Sequence, residues 1–188
     1  DTAASDRLPD AEALTATARE LEQQLAALRA APREQPYSGP AIVSGKAAAV
    51  FFHEIFGHRV EGSRLKQVDS GQTFLHKVGE EILPTFLSIH DDPTLGRLGG
   101  IDLRGSYAFD NQGVAASRVT LVDEGVLKDF LESRSPTTEE RRSNAHGRRQ
   151  AGKAVVARQG SLLVTAHETV SEEELRTRLR KLARKAGL

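Results

Sequence analysis

Residues 51–62 read FFHEIFGHRVEG and gather His53, Glu54 and His58 in one short stretch. Two neutral imidazoles can ligate a divalent metal that keeps a position open for water, and a carboxylate beside them can take the proton of a water attacking a carbonyl. In the helical zinc-peptidase pattern His-Glu-x-x-His the histidines stand four apart. Here they stand five apart. At about 100° per residue, positions four apart differ by roughly 40° around a regular helix, whereas positions five apart differ by roughly 140°. Two devices would repair the mismatch. A π-bulge aligns residues five apart. Alternatively, the helix ends at Gly57 in a left-handed conformation and His58 swings back from the cap. The competing reading is a pair of ordinary histidines on an amphipathic helix with a solvated Glu54. These residues alone leave both open.

The elements that must position them can be read from the surrounding pattern. Residues 10–31 carry Leu14, Leu21, Leu25 and Leu28 at helical spacing, and Pro32 ends the run, so one long amphipathic helix is expected there. A Pro-rich connector (32–40) leads to a short strand at 41–43, and the stretch from Lys46 to His58 resumes helical character. A loop and a short helix toward Ile82 should follow, then a strand within 85–93 that runs into an Asp-Asp-Pro turn. Residues 94–113 read as Gly-rich loop. The segments ASRVTLV and VLKDFLE flank Asp123-Glu124-Gly125, a hairpin signature with glycine placed for positive φ. Residues 161–170 form a last strand. Ser171 and Glu174 mark the start of a final helix, whose Leu175, Leu179 and Leu182 share a face and whose C-cap falls at Gly187. Helices and antiparallel strands alternate without a βαβ rhythm, so the fold class is α+β, with helices packed on antiparallel strands.

Composition narrows the partners. Lys plus Arg and Asp plus Glu both total 26, so no net field draws the chain toward nucleic acid or an anionic membrane. No apolar run approaches the roughly 18 residues of a membrane-spanning helix. Cysteine is absent, which removes disulfides and thiolate ligands from these residues. The other polar candidates read as structural. His76, His90, His146 and His167 are scattered, and each is expected at the surface or in a loop. Asp91-Asp92 is an acid/base pair on paper, but Pro93 points to a turn with solvated carboxylates. The basic stretch 133–155, with Arg141, Arg142, Arg148 and Arg149, has few apolar anchors. It reads as a mobile solvated loop, with carboxylate or phosphate binding as its functional alternative.

Several ordered segments resemble the TldD/PmbA family of metallopeptidases. They are HEIFGHRVEG, IHDDPT (89–94), FDNQGVAASRVTLVDEGVLKDFL (109–131), SNAHGRR (143–149) and RQGSLLVTAHETVSEEEL (158–175). The resemblance spans about residues 36–188. It implies a zinc-dependent peptidase that hydrolyses unfolded or small peptides, or matures them, and that works as a homo- or hetero-dimer with a family homologue. By that resemblance His53 and His58 are metal ligands, Glu54 is the base that activates the zinc-bound water, and Glu61 orients a ligand histidine. The family's third ligand is a downstream cysteine, which this chain lacks; within it, His146 is the best substitute. Asn111-Gln112 and Ala145 depart from the family's acidic pair and glycine.

The chain is therefore expected to be part of a larger two-domain subunit. Residues 1–84 would form a helical region carrying the His-Glu segment, and 85–188 the start of an antiparallel β-rich C-terminal domain. On its own it should bind zinc weakly and lack peptidase activity. The alternative is a non-catalytic, metal-free partner or scaffold subunit of the same family. The family default for compartment is cytoplasmic, with export left open.

Overall fold

The computed structural model describes residues 9–33, 35–66, 74–135, 137–138 and 141–187. The chain divides into two units, one made of 1–42 with 172–188 and the other of 43–171. The first holds helix α1 (Ala11–Ala30) and helix α3 (Glu172–Lys185). Asp10 caps α1 by accepting the amide of Ala13 at 2.8 Å, and its leucine stripe (Leu14, Leu21, Leu25, Leu28) is exposed. Gly187 adopts φ +76°, the left-handed backbone expected of a helix C-cap.

The second unit contains helix α2 (Gly45–Ile55), strands β1 to β8 and the whole His-Glu segment. Its principal sheet is antiparallel, in the order β5 (Val126–Leu127), β4 (Val119–Asp123), β1 (Leu87–Asp91), β8 (Leu162–Ala166). The turn between β4 and β5 places Glu124 and Gly125 at φ +46° and +82°, the pair of positive values that tight hairpin turns use. Gly125 has no alternative there, because a Cβ would lie 2.3 Å from the carbonyl oxygen of Leu83. Two small ribbons complete the set: β2 (Arg97–Leu98) with β3 (Ile101–Asp102), and β6 (Gly147–Arg148) with β7 (Val156–Ala157).

Alternation sends Val119 and Leu121 of β4 and Ile89 of β1 inward. There they meet Val122, Leu127, Phe130 and Leu131 in one cluster, with Phe56 and Val60 from the end of the His-Glu segment. That segment is thus anchored in the same core as the sheet.

Three local expectations are corrected. Residues 41–43 carry no strand pairing, so the expected strand does not form there. A 3₁₀ turn at Gly62–Lys66 and a series of turns at 75–80 occupy the stretch expected to hold a short helix, part of which (67–73) lies outside the described residues. The second arm of the hairpin stops at Leu127, after which the chain leaves the sheet and Leu131 bridges to Glu61.

The basic stretch also departs from a mobile loop. Ser133, Ala145, His146 and Gly147 are buried. The Asn144 side chain donates to Phe130 O at 2.8 Å and accepts from Glu132 N at 2.7 Å. Arg141 lies over the ring of Phe130 and Arg148 over that of Tyr107. Polar and cation–π contacts supply the anchoring that a count of apolar residues overlooks.

Candidate metal centre

Helix α2 ends at Ile55. Phe56 caps it with φ −108° and ψ −56°, and a 3₁₀ turn takes over at Gly57–Val60. The backbone changes course at Phe56, so the azimuth of a continuous helix no longer governs where His58 points. The break falls one residue earlier than expected and is neither a π-bulge nor a left-handed Gly57, whose φ is not positive. The glycine instead makes room for a neighbouring side chain. A Cβ on Gly57 would sit 2.0 Å from Oε1 of Gln159, so that side chain lies directly against the turn.

The rings of His53 and His58 approach to 4.6 Å between centroids. Glu54 spans them, its Oε1 3.9 Å from His53 Nε2 and its Oε2 3.8 Å from His58 Nε2. One potential ligand atom from each of the three lies within 4.8 Å of the other two, the one such group among the described residues. His53 and Glu54 are open to solvent and His58 is largely covered, so the group sits at the surface with one wall.

That wall is a buried carboxylate. Glu61 is 1% exposed, and its Oε1 lies 3.0 Å from Nδ1 of His58. Its Oε2 accepts from Arg64 Nε at 2.8 Å and Arg158 Nη1 at 3.0 Å, while Gln159 Nε2 reaches Oε1 at 3.5 Å. An imidazole that donates through Nδ1 keeps the lone pair of Nε2, the nitrogen that faces Glu54. A cleft of about 700 Å³ opens alongside, lined by Ala48, Ala49, Phe52 and His53 of α2 and by Gln159, Gly160, Leu162 and Val164. Its lining is mainly apolar, as in many ligand clefts.

The remaining candidates are placed elsewhere. His146 is neither exposed nor near the group. It is fully buried, with Nε2 3.1 Å from Asp91 Oδ1 and Nδ1 2.8 Å from Asn144 O. Asp91 is likewise buried rather than a solvated turn carboxylate, and it accepts the amides of Gly160 and Ser161 at 3.1 and 3.0 Å. The turn reading does hold for Asp92, whose Oδ1 accepts the amide and hydroxyl of Thr94. His76 and His167 are exposed, and His90 faces Thr120 across β1 and β4. Ala145 adopts φ +68°, the conformation a glycine would take most easily. Arg158 and Gln159 were not legible as site residues, since no motif links them to a histidine about a hundred positions away.

The family described as the PmbA/TldA metallopeptidase C-terminal domain matches residues 36–182, and the chain belongs to it. A metalloprotease from Archaeoglobus fulgidus is 31% identical over 71% of this chain and 30% of its own length. A metalloprotease from Methanothermobacter thermautotrophicus is 37% identical over 60% of this chain and 23% of its own length. Among solved structures, TldE from Thermococcus kodakarensis superposes with a TM-score of 0.54 at 22% identity, covering 73% of this chain and 28% of that one, a likeness of fold. The chain thus spans less than a third of the length of these relatives.

Proposed function

We propose that this chain carries the histidine ligands and the general base of a zinc peptidase of the TldD/PmbA type. The observation that supports it is the convergence of His53, Glu54 and His58 on one point, with Glu61 holding the far nitrogen of His58. The donor set suits the metal. Two imidazoles and a nearby carboxylate match catalytic zinc chemistry better than that of hard, all-oxygen cations. When bound, the metal supplies Lewis acidity and activates water for attack on a peptide carbonyl.

His53 and His58 would hold it through their exposed sides, with a further ligand supplied from elsewhere in the subunit. Glu54, largely solvated and between the two histidines, takes the proton of the attacking water and returns it to the leaving amine. Glu61 orients His58. The apolar cleft beside His53 receives the peptide, and the intact subunit pairs with a family homologue. The division of that subunit into a helical region (1–84) and the start of a β-rich domain (85–188) is part of this proposal.

In the intact subunit, Glu54→Gln should abolish peptide cleavage and leave zinc bound, whereas His53→Ala should lose both. Near-normal turnover by Glu54→Gln would remove the base assignment, and zinc retained at full stoichiometry by His53→Ala would remove the ligand assignment.

A further inference from the structure

The geometry points to Arg158 as a positioning residue for His58, acting through Glu61 from a strand-end loop about a hundred residues downstream. The inference rests on the metal-site reading above and assigns a role to a residue outside the His-Glu segment. The two oxygens of Glu61 are divided between tasks. Oε2 takes the guanidinium groups of Arg64 and Arg158, and Oε1 faces His58 and Gln159.

A carboxylate 1% exposed is expensive to hold without cationic partners. Arg64, three residues on, belongs to the same 3₁₀ turn region and moves with it. Arg158 follows β7 and therefore ties the carboxylate to the β6–β7 ribbon, a separate element of the unit. Two anchors from different elements fix the plane of the carboxylate and so the position of Oε1. One anchor leaves it free to rotate. Gln159 lies beside the clamp, its amide against Gly57 and its Nε2 3.5 Å from both Glu61 Oε1 and His58 Nδ1.

The clamp and simple electrostatics predict opposite signs. Removing a cation near a Zn²⁺ site should tighten zinc by relieving repulsion. Removing an anchor of the group that orients a ligand should loosen it, typically 10- to 100-fold. The test is a chelator-competition measurement of zinc affinity on this chain. It compares wild type, Arg158→Gln, Arg158→Lys and Glu61→Gln with and without Arg158→Gln, alongside the imidazole ¹H–¹⁵N resonance of His58 Nδ1–H in the zinc-free protein.

The expected result is a 10- to 100-fold loss in Arg158→Gln, partial recovery in Arg158→Lys, and no further loss when Arg158→Gln is added to Glu61→Gln. The Nδ1–H signal should broaden in Arg158→Gln. Unchanged or tighter zinc with a persistent signal overturns the proposal. A wild type that binds no zinc but whose Nδ1–H signal broadens in Arg158→Gln keeps the clamp and removes the metal reading. Zinc binding with neither readout moving does the reverse. Arg158 is partly exposed, so its variants should fold, and Arg158→Lys decides the matter if Arg158→Gln does not.

Discussion

At Gly57 a single methyl group would meet the Gln159 amide, whose Nε2 lies 3.5 Å from His58 Nδ1 and from Glu61 Oε1. The displaced atoms are the far end of a flexible side chain, so Gly57→Ala should cost no more than the low end of the roughly 1–3 kcal/mol typical of overpacking. It should also weaken metal binding, which thermal unfolding and zinc titration of the same variant would show together. Glu132 offers a test through pH. It is 2% exposed, and burial, partly offset by hydrogen bonds from Thr137 and by Arg141, raises its carboxyl above the usual 4.5. A raised folded pKa stabilises the protonated form, so the contribution is full below the unfolded value and is lost as pH rises through the folded one. Wild type should thus lose ground to Glu132→Gln between acidic and neutral pH, and a difference in melting temperature that stays flat would refute this. Single residues were unevenly legible in the sequence. His53, Glu54 and His58 could be found because their chemistry is local, whereas Arg158 and Gln159, two of the four partners of Glu61, come from a distant loop that no spacing rule connects to it.

At the scale of elements, the buried Asp91–His146 pair joins three segments: the end of β1, the basic stretch, and the loop entering β8 through the amides of Gly160 and Ser161. Asp91→Ala would leave a buried imidazole and two amides without their acceptor. The expected loss is about 1–3 kcal/mol for each buried donor left without its acceptor. Amide exchange at 144–148 and 160–161 should accelerate together. Exchange that quickens in only one of the two stretches would show that the pair does not couple them. This anchoring was only half visible beforehand. Alternation along β1 puts Asp91 in phase with Ile89 and so predicts it inward, but the adjacent Asp-Asp-Pro turn masked that signal. The helices and the β4–β5 hairpin were legible from periodicity and turn chemistry. The basic stretch was misread because its order comes from an amide, a histidine and stacked arginines rather than from apolar area.

For the whole molecule, the unit 43–171 brings the His-Glu segment, the sheet and the clamp residues into one body, and the family match runs from 36 to 182. Among the described residues no helix is long and apolar enough to cross a membrane. The chain contains no cysteine, and it spans less than a third of the length of the relatives it matches. Two imidazoles and a solvated carboxylate should give this chain weak but specific zinc binding. The most direct measurement is a calorimetric titration of the chain with zinc alone, run beside His53→Ala and Glu54→Gln. The expected result is one saturable zinc ion per chain, lost in His53→Ala and kept in Glu54→Gln. Binding that is the same in wild type and His53→Ala, or no binding by wild type at all, would contradict the assignment of His53, Glu54 and His58 as the metal centre.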